Sequence, residues 1–395
     1  MEKIYHDKTE CSGCGLCVSV CSRTAISMKK DCYGFFYPQI EQSKCIDCGQ
    51  CKQSCAFGEA TMFAVKTSYA AVNKNREQLM SSASGGIFSA VAEAFLKDGG
   101  VVCGAHMTFN NGYAKVEHEV IESPDKLYQL QGSKYIQSNI QVAFRDVLSY
   151  LKQGKAVLFS GTPCQVAAMR KYVPLRYEES LFTMDIICHG VPSQKIFNDY
   201  IQYVSKKKKI IAEAYIFRDK KYGWGLYGRM EGKQENGKLF TERIGPDNAS
   251  YYKFFFDGEI YRDCCYSCPY AKDKRVGDLT IGDYWGIDKY NPELLQEHGG
   301  IFSKRDGVSC LLVNTEKGQK FLDEYGKGIK RIEVDLENIK IVNTQLSHPA
   351  IHTKLRNHIL SVYATKGYSA VEDLFDRICM KRKIKKVLKR IIGVQ

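Results

Sequence analysis

Cys11-Ser-Gly-Cys14-Gly-Leu-Cys17-Val-Ser-Val-Cys21 returns 34 positions later as Cys45-Ile-Asp-Cys48-Gly-Gln-Cys51-Lys-Gln-Ser-Cys55. Three cysteines at every third position on a tight loop can cap three irons of one cubane cluster, and a fourth thiolate must arrive from elsewhere. In C-x2-C-x2-C-x3-C runs the fourth cysteine ligates the other cluster of a pair. That rule groups Cys11, Cys14, Cys17 and Cys55 around one [4Fe–4S] cluster, and Cys45, Cys48, Cys51 and Cys21 around a second. Structural zinc and disulfides are the alternatives, and two complete runs argue against both. Ser22 and Ala56 stand where proline usually follows the fourth cysteine, which touches a turn and leaves the ligands alone. The repeat predicts a small pseudo-symmetric two-cluster domain over residues 1–62.

The rest of the 395 residues is long enough for one or two further domains. A composition of 44% hydrophobic and 26% charged residues suits a packed globular chain. An extracellular disulfide scaffold is usually short and exported. Here the start, Met1 to His6, has no apolar signal segment, and no apolar run is long enough to span a membrane. The odd count of 17 cysteines and their local clustering therefore predict a cytoplasmic protein with reduced, metal-binding thiols. The net charge of +13 is concentrated near the end, with seven positive residues between Lys381 and Arg390. No recognition module accompanies that charge, so nucleic acid is not an expected partner.

Beyond residue 62 the pattern is α/β (α+β). A stripe of Ile87, Phe88, Val91, Ala94 and Phe95 predicts a helix, followed by a strand at Val101–Cys103. Ala156–Phe159 reads as a buried strand, and Pro163 suits the first position of the next helix. Phe182 to Ile187 is a third strand. The expected division is 63–150 and 151–335 as two parts of one α/β region, with a weak break at 147–155, then a helical extension over 336–395. In such folds ligands gather at strand ends. Ser84-Gly85-Gly86 at a helix start offers backbone amides and the positive end of the helix dipole to a diphosphate. An ordinary capped helix explains it equally well. There is no Walker loop and no G-x-G-x-x-G.

Cys264, Cys265 and Cys268 form a second kind of group, followed by Pro269, with Cys164 and Cys188 at predicted strand ends within reach. Together they suit a third [4Fe–4S] cluster, with zinc as the alternative. Cys32, Cys103, Cys310 and Cys379 read as ordinary packing residues. His189 beside Cys188 raises a catalytic Cys-His pair, although adjacency on a loop does not define one. Lys206 to Lys209 reads as a solvated face, or as a dock for an acidic carrier such as a ferredoxin. In the tail, Ile384, Val387, Leu388, Ile391 and Ile392 share one helical face among basic residues. Residues 381–392 then suit peripheral contact with an anionic membrane surface, or packing on the body with a basic outer face.

These marks, taken in order, resemble the beta-subunit family of coenzyme F420 hydrogenases and dehydrogenases, fused to an N-terminal two-cluster ferredoxin-like domain. The resemblance runs from Cys11 to about Trp285. It is carried by Ser84-Gly85-Gly86, Gly132-Ser133-Lys134-Tyr135, Gly161-Thr162-Pro163-Cys164-Gln165 and Cys188-His189-Gly190-Val191-Pro192-Ser193. Phe217-Arg218-Asp219-Lys220, Gly223-Trp224 and Cys264-Cys265-x2-Cys268 continue it, ending in Gly277-Asp278-Leu279-Thr280-Ile281-Gly282-Asp283-Tyr284-Trp285-Gly286.

The resemblance implies an FAD in the α/β body, a further [4Fe–4S] cluster beside it, and hydride exchange with the deazaflavin coenzyme F420 as a diffusible substrate. On that footing Ser84, Gly85 and Gly86 cradle the FAD diphosphate, while Gly132, Ser133, Lys134, Tyr135, Gly161, Thr162 and Gln165 line the cofactor. Lys134, which steadies charge on reduced flavin, and His189 are the candidate catalytic side chains. The expected function is an iron–sulfur flavoprotein oxidoreductase joining a hydride carrier to one-electron clusters. Its carrier is a ferredoxin, a deazaflavin or a nicotinamide. The competing expectation is a non-catalytic electron-relay subunit beside a partner redox subunit, linked to polysaccharide biosynthesis.

Overall fold

The computed structural model describes residues 4–392, with side chains described as far as Met380. Strands β1 (Ile26–Lys30) and β2 (Phe36–Ile40) form an antiparallel hairpin between the two cysteine loops. Each loop turns into a four-residue helix, Leu16–Ser19 or Gln50–Gln53, through a glycine in the left-handed region, Gly15 at φ 79° and Gly49 at φ 73°. A side chain is disfavoured there, so the glycine in each repeat is a requirement of the turn.

The body is built on β3 (Thr67–Asn73), β4 (Val101–Asn110), β5 (Tyr113–Ile121), β6 (Val157–Gly161) and β7 (Leu181–Ile186). After these come β8 (Ile210–Ile216), β9 (Gly228–Gln234), β10 (Leu239–Ile244), β11 (Leu279–Asp283), β12 (Ser309–Val313) and β13 (Ile329–Glu333). Eight of them make one sheet in the order β13-β3-β12-β11-β7-β6-β4-β5, and β10-β9-β8 make a second. In the large sheet β4, β6, β7 and β11 run parallel, and antiparallel strands close both edges.

Both faces of the parallel centre are covered. Val101, Cys103, Val157 and Phe159 pack on one side with Phe144, Val147, Val166 and Met169 from the helices Gln141–Lys152 and Pro163–Tyr172. Val102 and Leu158 face the other way, against Ile87, Val91 and Phe95 of the helix Ile87–Lys97. This alternation along short apolar strands is the period-two signature of a sheet buried on both faces. Leu16 and Ala56 of the cysteine domain belong to the first of these cores, so that domain is packed into the body.

The weak break expected at 147–155 lies inside this sheet. β4 and β6 pair directly across it, because the helix Gln141–Lys152 is the crossover that makes them parallel neighbours. The small sheet β8–β10 was not legible in the sequence; it packs with the helices Gln194–Lys208 and Ser250–Phe256 around Phe197, Tyr200, Tyr215 and Tyr251. Lys206 to Lys209 are exposed at the end of the first of those helices, where basic side chains complement the helix dipole. Cys103 and Cys310 are buried in cores. The helical extension runs Lys354–Ile392 with non-helical backbone at Gly367. The face expected at Ile384, Val387, Leu388, Ile391 and Ile392 lies outside the described side chains. Among the described residues no helix is long and apolar enough to cross a membrane.

Candidate redox centre

The fourth cysteine of each run stands near the cysteines of the other run. Cys55 bears electrostatically on Cys11, Cys14 and Cys17, and Cys51 feels Cys21 and Cys45. A small cavity of about 30 Å³ is lined by Cys21, Cys45, Cys48 and Cys51. That set is the outer one: Cys48 is exposed and its neighbour Ile46 is 61% exposed. The set of Cys11, Cys14, Cys17 and Cys55 faces inward. Burial pushes the Cys14 thiol up to about 12, and Cys164 adds to the rise. That influence places the next group of sulfurs beside the inner set.

Cys164, Cys188, Cys265 and Cys268 act on one another. Burial raises Cys164 to about 12, Cys268 to about 11 and Cys188 well above the usual thiol range. Cys264 donates to Cys265, which lowers Cys265 and raises Cys264, and Cys264 also feels Arg262. Among the described residues no three His, Cys, Asp or Glu groups close up as a single-ion site. A cube is larger than an ion and is reached from several directions. Buried thiols of this kind become thiolates when a cationic metal core compensates their charge. The soft thiol donors of all three sets fit iron–sulfur clusters.

A cavity of about 520 Å³ opens at the carboxyl ends of the parallel strands, within the range of ligand pockets. β6 contributes Ser160 and Gly161, β7 Ile186, and β11 Ile281, Gly282 and Asp283. Cys14, Cys164 and Cys188 stand in the same wall. Of the residues expected to meet a cofactor, Ser84, Gly86, Gly132, Ser133, Lys134, Tyr135, Gly161, Thr162 and Gln165 all line it, as does His189.

Gly85 is the exception, and its expected place in the cradle is corrected. Its N–H donates to Ser309 Oγ at 2.8 Å, and a Cβ there would stand 2.3 Å from the Ala71 carbonyl oxygen. Its role is close packing of the loop on β3 and β12. Gly86, at φ 74°, caps the helix Ile87–Lys97, whose first residues line the cavity. The hydroxyl of Ser84 donates to the Val308 carbonyl at 3.0 Å.

Thr162 caps the helix from Pro163, with the Gln165 carboxamide oxygen accepting from Thr162 N–H at 3.0 Å. Gln165 Nε2 donates to Ser138 Oγ at 2.9 Å, and Ser138 Oγ lies 3.0 Å from His118 Nδ1. His118 Nε2 is 3.0 Å from the Ser160 carbonyl, so this nitrogen carries the proton. Burial lowers His118 to about 4 and keeps it neutral. His189 presents its ring to the cavity but is ringed by protein, which lowers its pKa although Asp283 opposes the fall.

Tyr135 stacks on Phe255 with ring centroids 4.3 Å apart. Its hydroxyl accepts from Arg218, which forks onto Asp283 at 3.1 and 3.3 Å. Trp224 Nε1 donates to the same carboxylate at 2.7 Å and the ring stacks on Trp285 at 4.7 Å. Burial brings Lys134 down to about 7, and its Nζ donates to the Gln131 carbonyl at 2.8 Å. Lys220, likewise lowered to about 7 by burial, donates to the carbonyls of Leu79 and Ser84 behind the loop. Nothing in sequence spacing assigns a role to His118. Arg218, Lys220 and Asp283 lie in quoted motifs whose chemistry only the fold reveals.

Two-cluster cysteine loops joined to a strand-end cavity define an iron–sulfur redox protein. Family models for the coenzyme F420 hydrogenase/dehydrogenase beta subunit match residues 68–144 (N-term) and 154–340 (C terminus), and a 4Fe-4S dicluster domain matches residues 10–58. The chain belongs to the coenzyme F420 hydrogenase/dehydrogenase beta-subunit family, as an iron–sulfur oxidoreductase-type subunit with an N-terminal dicluster domain. It is 24% identical over 338 residues to a subunit of the F(420)H(2) dehydrogenase of Methanosarcina mazei, covering 82% of this chain and 83% of that protein. A chain of the F420-reducing [NiFe] hydrogenase complex of Methanosarcina barkeri is similar at 15% identity and a TM-score of 0.45, over 76% of this chain and 93% of that one.

Proposed function

We propose that the chain is an iron–sulfur flavoprotein oxidoreductase whose cavity holds FAD and a hydride carrier of the coenzyme F420 kind, and whose outer cysteine set meets a one-electron partner. The observation that carries this is the shared wall: Cys14 of the inner set and Cys164 and Cys188 of the third border one cavity at the strand ends. A flavin takes electrons in pairs as hydride and releases them singly, which joins the two kinds of traffic.

The protein's part is to bind, orient and shield. Gly86 brings the start of a helix up to the FAD diphosphate, where the dipole favours negative charge. Tyr135 and Phe255 give an aromatic wall, and Lys134 supplies a cation. His189, neutral and open to the cavity, holds or yields the proton that accompanies hydride exchange. The third cluster is held by Cys164, Cys188, Cys265 and Cys268, whose thiols act on one another, while the Cys264 thiol donates to Cys265. A partner redox subunit, of the kind the relatives' names describe, docks where Cys48 and Ile46 are exposed.

Anaerobic purification with iron and flavin counted tests this reading. The expected yield is about twelve irons, four per cluster, and one FAD per chain, reducible by a deazaflavin with the clusters bleaching afterwards. Cys264→Ser is expected to keep all the iron and Cys265→Ser to lose about four. An iron count near eight in the unmodified protein removes the third cluster, and bound flavin that no hydride donor reduces leaves a relay subunit.

A further inference from the structure

Arg262 is among the largest fully buried side chains of the molecule, at 0% exposure. Its guanidinium ties three segments together. Nε donates to the Cys11 carbonyl at 2.7 Å, Nη2 to the Phe36 carbonyl at 2.7 Å, and Nη1 to Gln137 Oε1 at 3.3 Å. Nη2 also lies 3.8 Å from Cys11 Sγ. The plane lies over the Tyr37 ring, 4.1 Å from its centroid, and against Gly13, where an added Cβ would stand 2.7 Å from Nη1. Its own carbonyl accepts from Cys265 N–H at 3.0 Å.

Among the described residues no carboxylate pairs with it; the adjacent Asp263 pairs with Arg356. An arginine in water needs no partner, but a buried one does, and an arginine cannot shed its proton. The nearest candidates for negative charge are the sulfurs of two cysteine sets.

We propose that Arg262 is a positioning residue that raises the reduction potential of the inner cluster, and that the charge of that cluster is its counter-ion. This rests on Cys11 holding an iron of the inner cluster. A cube bound by four thiolates gains negative charge on reduction, so a fixed cation and an N–H donor at one ligand sulfur favour the reduced form. The outer cluster, with Cys48 exposed, is an internal control.

The test is a potentiometric titration followed by electron paramagnetic resonance on anaerobic protein, with the outer signal assigned by its loss in Cys48→Ala. Arg262→Gln is expected to lower the reduction equilibrium constant of the inner cluster at least tenfold, about 59 mV for one electron, with the outer potential unmoved. Arg262→Lys keeps the charge but cannot span both carbonyls, and is expected to show less than half of that shift. An unmoved inner potential, an equal shift of both clusters, or a lysine variant as low as the glutamine one overturns the inference alone. Absence of an inner signal in the unmodified protein overturns the ligand assignment beneath it.

Discussion

In the proposed FAD site, buried Lys134 makes flavin binding depend on pH in a direction that can be worked out beforehand. Lys134 and Lys220 are each held near 7 by burial, and each spends its donors on backbone carbonyls. An unfolded lysine titrates near ~10.4. Between about 7 and 10.4 the unfolded chain therefore binds more protons than the folded one, and stability of the flavin-free protein rises with pH. The rise is at most about 1.4 kcal/mol per pH unit for each lysine.

A bound diphosphate favours the ammonium form, so binding has the opposite slope. Below pH 7 the cations are already present and affinity is flat. Above pH 7 Lys134, which lines the cavity, must take up a proton on binding, and affinity falls about tenfold per pH unit. His118, near 4, and His189, lowered below the usual histidine range, are neutral throughout that window. Fluorescence titration of FAD onto flavin-depleted protein from pH 6.5 to 8.5, with calorimetry in buffers of different ionisation enthalpy, measures both affinity and proton uptake. The slope is expected to approach one decade per unit above pH 7, and Lys134→Met to remove it. A pH-independent affinity with no proton uptake refutes the anionic half of the site.

Two further outcomes follow from the geometry. Asp185, at the end of β7, takes Arg275 Nη2 at 2.8 Å on one oxygen and the Val276 and Gly277 amides at 3.2 and 2.9 Å on the other, with both side chains of the pair essentially inaccessible. Asp185→Asn leaves the guanidinium without a counter-charge and is expected to cost ~3–5 kcal/mol, read as a lower urea midpoint; an unchanged midpoint contradicts the account. Gly86→Val places a β-branched residue at φ 74° with its Cβ pressed on Asn73, Ser82 and Leu79, displacing the helix start from the proposed diphosphate site, so protein with full iron and little FAD is expected, whereas a normal flavin content sinks the diphosphate role.

The cysteine loops were legible because a cube demands thiolates at fixed short spacing, and the sequence carries that spacing twice. The short parallel strands were legible for a similar reason: Val157-Leu158-Phe159 buries both faces, so every position is apolar. Spacing says less about residues that meet only through the fold. His118 on β5 reaches Ser160 on β6 across the intervening β4, and Arg262 reaches Cys11 from 251 positions away. Gly85 shows the converse failure. A glycine next to a helix start reads as a cradle, and only the Ala71 carbonyl and the Ser309 hydroxyl reveal that its missing side chain makes room for protein.

How the dicluster domain is attached bears on what it can do. A domain that carried electrons by swinging would meet the body through a small polar interface. Here Leu16 and Ala56 sit in the body's core, Gln137 Nε2 donates to the Ser12 carbonyl at 2.8 Å, Lys171 to the Cys55 carbonyl at 2.9 Å, and Tyr270 to the Ala56 carbonyl. Arg262 holds the Cys11 loop at two further points. The inner set is thereby fixed against the cavity wall, and moving it would expose apolar surface and strand buried donors. The outer set keeps an open face, at Ile46 and Cys48. On the proposed function, choice of the one-electron partner then rests on residues around that face, and choice of the hydride partner on the cavity. Substitutions at Ile46 should change reactivity with electron carriers and leave FAD affinity as it was, because the outer loop lines its own small cavity, away from the wall that Cys14 shares with Cys164.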